Sequence, residues 1–181
     1  MAARLREQPI VLFWRESERP YGCFSQWYSG ADGEFELEEQ RYFCAEQAMM
    51  AAKARLFGDE ASYAAIMRER QSPRRVKELG RGVRNFDARV WSDAAPALVR
   101  AANKAKFSQN PGLKRTLLAT GTSLLAEASP YDAIWGIGLS ASHPDATVPR
   151  KWRGTNLLGQ ALMLVRDDLL SSAADDPSSW R

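Results

Sequence analysis

Hydrophobic and polar positions along the chain predict more helix than strand. Runs of β-branched and aromatic residues, one of them alternating with glutamates, predict short strands at 9–14, 34–38 and 123–128. Apolar residues at helical spacing, bounded by capping residues, glycines or prolines, predict helices at 42–57, 61–70, 73–79, 93–108, 113–119 and 157–170. Asp59 and Ser72 are the predicted caps of the second and third of these helices. A hairpin-type turn is predicted at 31–33. The pattern therefore predicts a mainly α, compact single-domain protein with a few short β-strands.

The predicted helix 42–57 carries two charges on its apolar face. Glu46 and Lys53 lie seven residues apart, on the same face as the side chains of Tyr42, Phe43, Met49, Met50 and Phe57. Burying either charge is costly unless it is paired or used. Two interpretations are open. Lys53 can extend to solvent while Glu46 bonds backbone groups, or Glu46 is a carboxylate in an apolar cleft whose pKa is tuned for acid–base chemistry.

The segment 129–154 is predicted to be a long loop, and loops of this length in a compact domain are usually functional or disordered. Within it, Asp132, Trp135 and Gly136 offer a carboxylate, a stacking face and a backbone that a ligand can approach closely. The alternative is a core tryptophan beside an aspartate that caps a turn. The aromatic residues of 21–28 likewise belong to the core or line a pocket for a flat ring.

Three cations precede the last predicted helix, which is expected to be capped by 155–156. They are Arg150, Lys151 and Arg153. The free N–H groups and the dipole of a helix N-terminus favour an anion such as phosphate, so this stretch is either an anion site or a solvated basic loop. Together with the carboxylate in helix 42–57 and the Asp–Trp pair, it favours a phosphorylated ligand that contains a flat ring.

Composition narrows the chemistry. The chain has 181 residues, 45% of them hydrophobic, and a net charge of +3, which permits an anionic ligand without requiring nucleic acid. Two cysteines without metal spacing and a single histidine, His143 in a loop, argue against a metal site or a His-based nucleophile. We expect no metal and no cofactor. We expect a cytoplasmic protein without a membrane segment or an obligate protein partner, folded over 9–170 between flexible tails at 1–8 and 171–181.

An ordered set of short motifs resembles the YbiA-like family, also called NADAR for its association with NAD and ADP-ribose. The resemblance spans about 10–170 and rests on Phe24-Ser25, Glu46 with Lys53, Ser72-Pro73 with Gly80-Arg81, Trp91, Lys106-Phe107, 117–120, 132–136 and 156–159. The chain departs from the family pattern in two places. Gln47-Ala48 stands where an aromatic dipeptide is usual, and the loop between Gly138 and Asn156 is longer than in short bacterial members.

The resemblance implies a small helical fold that hydrolyses the N-glycosidic bond between a ribose and a base-like amine, without a metal. The first candidate substrate is ADP-ribose attached to guanine in a nucleotide, DNA or RNA, so that the enzyme reverses nucleic-acid ADP-ribosylation. The second is a ribosylamino-pyrimidine phosphate of riboflavin biosynthesis. A candidate of another class is a non-catalytic module that binds ADP-ribose or another NAD-derived ligand.

We assign roles on the chemistry of N-glycoside cleavage, which passes through an oxocarbenium-like sugar. Glu46 activates water or stabilises the cation, and Asp132 orients the ribose or assists the leaving group. Lys53 tunes Glu46 or binds a ligand oxygen. The predicted ligand-binding residues are Phe24, Ser25, Arg81, Trp91, Lys106, Trp135, Gly136 and Asn156.

Overall fold

A computed structural model describes residues 8–174 of the chain. The helices are α1 (Ala45–Leu56), α2 (Glu60–Arg68), α3 (Pro73–Arg81), α4 (Ala88–Gln109), α5 (Pro111–Leu118) and α6 (Leu157–Ala174). The strands are β1 (Ile10–Phe13), β2 (Phe35–Leu37), β3 (Gln40–Tyr42) and β4 (Leu124–Glu127). Short 3-10 turns lie at Tyr21–Phe24 and Pro149–Lys151. The prediction of a mainly α fold with a few short strands is confirmed.

Helix α1 is the central element of the core. It packs against α2, α3 and α4, while α4 also packs against α5 and α6. Most residues of α1 are buried, including Gln47, whose side chain accepts a hydrogen bond from Phe43 N and donates to Ile66 O and Glu69 O. Because these bonds satisfy the amide of Gln47, a polar side chain can occupy the core at this position.

The start of the central helix differs from the prediction. Tyr42 belongs to β3 and pairs with Phe35 of β2, so the aromatic residues before Cys44 are buried from a strand and its exit. The hairpin that joins β2 and β3 turns at Glu38 and Glu39, whose φ angles are +51° and +61°. The predicted hairpin turn at 31–33 is only a local turn, closed by a bond of 2.7 Å from Gly33 N to Gly30 O.

Strands β1 and β4 form a parallel pair that joins distant parts of the chain. Phe13 is the register partner of Glu127, so both strands end at the same edge. The segment after β1 and the loop after β4 therefore begin side by side. Ligand sites in α/β structures commonly lie outside the carboxyl ends of parallel strands, and the cavity described below lies there.

Two other helix boundaries correct the prediction. Helix α4 starts at Ala88, not 93, because Asp87 caps it by accepting bonds from Arg89 N and Val90 N, and the helix then runs through Pro96. Helix α6 continues to Ala174, so the predicted tail cannot begin at 171. The remainder of that tail, 175–181, and residues 1–7 of the predicted N-terminal tail lie outside the described residues.

Two of the other predicted helix caps are confirmed and one is wrong. Asp59 caps α2 by accepting a bond from Ser62 N, and Ser72 caps α3 by accepting one from Arg75 N. Asn156 was expected to cap α6, but its side chain bonds to β4 instead. None of the helices between residues 8 and 174 combines the length and apolarity that crossing a membrane requires.

Candidate active site

A cavity of about 700 Å³ lies between α1, α3 and the segments that follow β1 and β4. Its volume is in the range of small-molecule and cofactor sites. The predicted site residues that line it are Ser25, Glu46, Lys53, Arg81, Asp132 and Trp135. They come from four separate stretches of the chain, so the fold brings together most of the chemistry that the sequence singled out.

Glu46 lies in the first turn of α1 and is only 6% exposed. Its pKa is raised from 4.5 to about 6, mainly by burial and to a smaller extent by the nearby charge of Asp132. Lys77, a hydrogen bond with Trp27 and the charge of Arg81 act in the opposite direction. The result is a carboxylate that can take up a proton close to neutral pH, as a general base must.

Glu127 is a second, half-buried acid of the cavity, and we did not single it out from the sequence. It ends β4 and lines the cavity. Burial, together with the charges of Asp132 and Glu46, raises the pKa of Glu127 to about 8, with Lys77 opposing the shift. The sequence offered one weak indication, a glutamate placed between the buried Ala126 and Ala128 at the end of an apolar strand.

Asp132 lines the cavity and also shapes the turn that carries Trp135. Its Oδ1 accepts hydrogen bonds from Ile134 N at 2.9 Å and from Trp135 N at 2.8 Å. Both interpretations drawn from the sequence therefore apply, since the carboxylate caps a turn and faces the cavity. The bonds hold the carboxylate in one orientation beside Glu46 and Glu127.

Gly136 does not line the cavity but allows the turn to approach β4. A Cβ atom there would lie 2.8 Å from Glu127 O and 2.9 Å from Asp132 O, closer than packing permits. The next residue, Ile137, donates its N–H to Glu127 O at 2.8 Å. Gly136 therefore fixes the spacing between the turn and the strand.

Lys53 lines the cavity and bonds to the backbone of α3. Its Nζ donates to Gly80 O at 2.8 Å and lies 4.2 Å from the ring centroid of Phe86 and 5.8 Å from that of Trp91. Burial lowers the pKa of Lys53. Lys77 and Arg81 are the cations with the largest effect on the pKa of Glu46, so Lys53 is not its main tuning group.

One wall of the cavity is cationic. Arg74, Lys77 and Arg81 project from α3 at intervals of three and four residues, and Arg15 follows β1. Of these four, only Arg81 was predicted, although the helical spacing of the other two on α3 was visible in the sequence.

The basic stretch before α6 does not supply the cavity's charge. Lys151 pairs with Asp145 at 2.6 Å, and none of Arg150, Lys151 and Arg153 lines the cavity. The cations that line the cavity are therefore those of α3 and Arg15, and not the cations before α6. The two basic stretches could not be told apart in the sequence, because both are rich in arginine and lysine.

Aromatic side chains also line the cavity, and two of its cations lie beside them, with Arg15 Cζ 4.6 Å from the ring centroid of Trp14 and Lys77 Nζ 5.9 Å from that of Trp27. Trp14, Trp27, Tyr131 and Trp135 line it, and Tyr131 is 88% exposed at its edge. Such rings present faces on which a planar base can stack. Only Trp135 was predicted as a site residue. Trp27 belongs to the aromatic stretch 21–28, which supplies both a cavity residue and the core residue Phe24.

Four predicted ligand residues lie behind the cavity wall and do not line it. Phe24 is fully buried, with its ring edge-to-face against Phe13 at 5.4 Å. Lys106 is also fully buried and donates to Cys23 O at 2.7 Å and to Ser25 O at 3.0 Å. We expected Phe24 and Lys106 to contact the ligand directly. In the structure they instead support the segment that carries Ser25 and Trp27.

Asn156 and Trp91 are the other two predicted ligand-binding residues that do not line the cavity. Asn156 is 3% exposed, donates to Leu125 O at 2.8 Å and accepts from Glu127 N at 3.0 Å. Its backbone φ of +55° is one that asparagine tolerates better than most residues. Asn156 therefore anchors β4, and Trp91 packs against the core near Lys53.

The sequence model of the NADAR domain family matches residues 12–170 of this chain. The chain belongs to the NADAR family. This match covers the whole described fold from the end of β1 to the last turns of α6, including every residue that lines the cavity.

Three comparisons place the chain within the family. N-glycosidase R617 of Acanthamoeba polyphaga mimivirus is 45% identical over 147 residues, which cover 80% of this chain and 86% of that protein. The NMR structure of Escherichia coli YbiA superimposes with a TM-score of 0.76 at 26% identity, covering 94% of this chain and 90% of that one. The chloroplastic riboflavin biosynthesis protein PYRR of Arabidopsis thaliana is 32% identical over 112 residues, which cover 60% of this chain and 17% of that protein. Membership of the NADAR family and the similarity to named N-glycosidases identify this protein as an N-glycosidase.

Proposed function

We propose that this NADAR protein hydrolyses the bond between ADP-ribose and guanine in an ADP-ribosylated nucleotide, DNA or RNA. The observation that carries the proposal is Glu46, a buried carboxylate whose pKa is about 6, in a cavity that is also lined by the cations of α3 and by tryptophan and tyrosine rings. A ligand with a flat base, a ribose and a pyrophosphate uses all three features at once.

In the proposed complex, each part of the ligand contacts one group of cavity residues. The guanine stacks among Trp27, Tyr131 and Trp135, where the planar faces are. The pyrophosphate lies along Lys77 and Arg81 and the neighbouring cations of α3, since guanidinium and ammonium groups bind phosphate oxygens through charge-assisted hydrogen bonds. The ribose attached to the guanine then lies between these regions, beside Glu46.

Glu46 performs the water-activating step in this scheme. As the C1′–N bond breaks, positive charge develops on the ribose, and a carboxylate in a water-poor site stabilises it more strongly than one in bulk water. The same carboxylate accepts a proton from the water that attacks C1′. Asp132, held by two backbone N–H groups, orients the ribose.

The cationic wall favours ADP-ribose over a ribose monophosphate. Arg15, Arg74, Lys77 and Arg81 provide more positive charge than a single phosphate requires, and a pyrophosphate doubles the number of phosphate groups to be bound. One observation favours the second candidate substrate, a ribosylamino-pyrimidine phosphate. It is the similarity to the PYRR protein, whose name places it in riboflavin biosynthesis.

The test uses the purified protein with an oligonucleotide that carries ADP-ribosyl-guanine. Release of free ADP-ribose and of the unmodified oligonucleotide, followed by mass spectrometry, is the expected result. A parallel incubation with the ribosylamino-pyrimidine phosphate separates the two substrates. Turnover of the pyrimidine compound alone overturns the proposed substrate while leaving the N-glycosidase class in place.

A further inference from the structure

Glu127 is fixed in the cavity from three directions. Its N–H donates to Asn156 Oδ1 at 3.0 Å, its carbonyl accepts from Ile137 N at 2.8 Å, and it pairs in register with Phe13 across the parallel strands. Its backbone is therefore tied to α6, to the turn after β4 and to β1. A side chain on such a backbone is placed more reproducibly than one on a free loop.

The side chain of Glu127 is half-buried, and one of its carboxyl oxygens is buried without a hydrogen-bond partner. Its Oε2 atom has no hydrogen-bond partner among residues 8–174, although the residue lines the cavity. A buried polar atom without a partner costs free energy, so natural structures keep one mainly where it serves a function. An oxygen in this state, at the wall of a ligand cavity, is available to a group on the ligand.

We propose that Glu127 is the general acid that protonates the departing base. The inference rests on the proposed function, because it needs a base that leaves from the ribose in this cavity. It gives Glu46 and Glu127 complementary tasks, with Glu46 acting on the water and Glu127 acting on the leaving nitrogen heterocycle.

The reaction balances without any further reactant. The electron pair of the C1′–N bond goes to the base as the bond breaks, and the proton of the Glu127 carboxylic acid goes to the base with it. Water adds to C1′ and passes a proton to the Glu46 carboxylate. Glu46 then releases that proton to solvent and Glu127 takes one up, so that one water is consumed for each bond cleaved.

The electrostatics of the cavity support this division. Burial raises the pKa of Glu127 to about 8 and that of Glu46 to about 6, so between these values one carboxyl is protonated and the other is ionised. Environments that separate the pKa values of two carboxyl groups are the usual basis of acid and base assignments. Besides Glu127, eight charged residues of the described part of the chain line the cavity. They are Arg15 and Glu16 after β1, Glu46 and Lys53 on α1, Arg74, Lys77 and Arg81 on α3, and Asp132 after β4.

The decisive experiment compares two leaving groups on Glu127→Gln. In one substrate ADP-ribose is attached to guanine, and in the other it is attached to 4-nitrophenol. The 4-nitrophenol group departs as a stable anion and needs no proton. We expect Glu127→Gln to lose about 10²–10⁴-fold in kcat on the guanine substrate, which is the usual contribution of a general acid, and to remain close to wild type on the nitrophenyl substrate. Glu60→Gln, an exposed carboxylate of α2, is the matched control and should keep wild-type rates on both.

Each other outcome has a defined meaning. Equal losses on both substrates overturn the proposal and give Glu127 a structural role, and no loss on either also overturns it. If wild type cleaves neither substrate, the proposed function itself fails. That result is distinguishable from a failure of the Glu127 proposal, which requires an active wild type.

Two measurements keep the proposal testable if Glu127→Gln fails to fold. In wild type, kcat on the guanine substrate should fall as pH rises through about 8, whereas kcat on the nitrophenyl substrate should not. A ¹³C NMR titration of the Glu127 carboxyl needs no substrate at all. A pKa near the ordinary 4.5 overturns the proposal.

Discussion

Glu46 and Glu127 have the same functional group but release their protons at different pH because their surroundings differ. Burial raises the pKa of both, yet Glu46 also receives a hydrogen bond from Trp27 and the charge of Arg81, which hold its pKa near 6, while that of Glu127 rises to about 8. Residue type alone does not assign an acid and a base, whereas residue environment does.

The pKa of Glu46 predicts the acid side of the pH profile. In the proposed mechanism the active form carries the ionised carboxylate, and a pKa raised from 4.5 to about 6 means that Glu46 takes up its proton below about pH 6. We expect kcat/KM to fall about tenfold per pH unit below that value. Initial rates between pH 4.5 and 8, with circular dichroism to confirm folding at each pH, provide the measurement. A rate that stays flat down to pH 5 contradicts the role of Glu46.

The sequence revealed Glu46 but not Glu127, for a physical reason. Glu46 is conspicuous because it interrupts the apolar face of a helix whose period is visible in the sequence. Glu127 is partly covered by segments far away in the chain, and a glutamate at the end of a four-residue strand looks like a solvated terminus. Lys106 and Asn156 were taken for ligand contacts because their type suits a ligand, yet backbone carbonyls satisfy them internally.

Among the elements, α3 contributes both the cationic wall and a close contact with α1. Its residues at 74, 77 and 81 face the cavity, while Arg75 is directed to Glu78 in an exposed pair at 3.0 Å. One helix therefore offers both a test position and a control position for the charge of the wall.

Replacing Lys77 should alter binding and the pH profile together. Lys77 lowers the pKa of both Glu46 and Glu127, so Lys77→Gln should shift both limbs of the profile to higher pH and raise KM for an ADP-ribosyl substrate. Arg75→Gln removes the same charge from the same helix and should leave the profile and KM unchanged. Steady-state kinetics across pH measure both variants. Identical shifts in the two variants would mean that only net charge matters.

The contact between α3 and α1 leaves no space for a side chain at Gly80. A Cβ there would overlap Met50 Sδ and lie 2.7 Å from Met50 Cγ, so Gly80→Ala should push the helices apart and destabilise the fold by about 1–3 kcal/mol despite its better helix propensity. Gly112→Ala on α5 meets its nearest atom only at 4.0 Å and should leave stability unchanged or slightly higher. Urea unfolding of both variants gives the comparison. Equal stabilities would show that Met50 moves aside without cost.

Element type was easier to predict than element boundaries. Caps such as Asp59 and Ser72 located the starts of α2 and α3, because a capping side chain acts within three residues of itself. The hairpin at Glu38–Glu39 was missed because glutamate rarely adopts a left-handed backbone, and the pairing of β2 with β3 imposes it there. The late start of α1 has the same origin, since Tyr42 is held in that hairpin.

At the scale of the whole molecule, the cavity is a product of tertiary structure. Its walls come from segments near 14–16, 25–27, 46–53, 74–81 and 127–135, and the parallel pairing of β1 with β4 brings the first and last of these together. Local periodicity predicts each helix but contains no information on that pairing, which joins Ile10 to Leu124. The mainly helical fold class was therefore predictable from the sequence, whereas the composition of the cavity was not.

Two buried residues outside the cavity lining support its walls. Lys106 supports the segment that carries Trp27, and Asn156 holds the end of β4 next to Glu127. Both act through hydrogen bonds to backbone atoms, so they position other groups of the cavity.

The central claim is that Glu46 is the carboxylate that drives cleavage, and Glu46→Gln tests it most directly. The amide keeps the size of the side chain but cannot accept the proton of water or balance the charge on the ribose. We expect a normally folded protein that binds the ADP-ribosyl-guanine oligonucleotide with near wild-type affinity and releases ADP-ribose at least about 10³-fold more slowly. A Glu46→Gln protein that releases ADP-ribose at the wild-type rate would contradict the account.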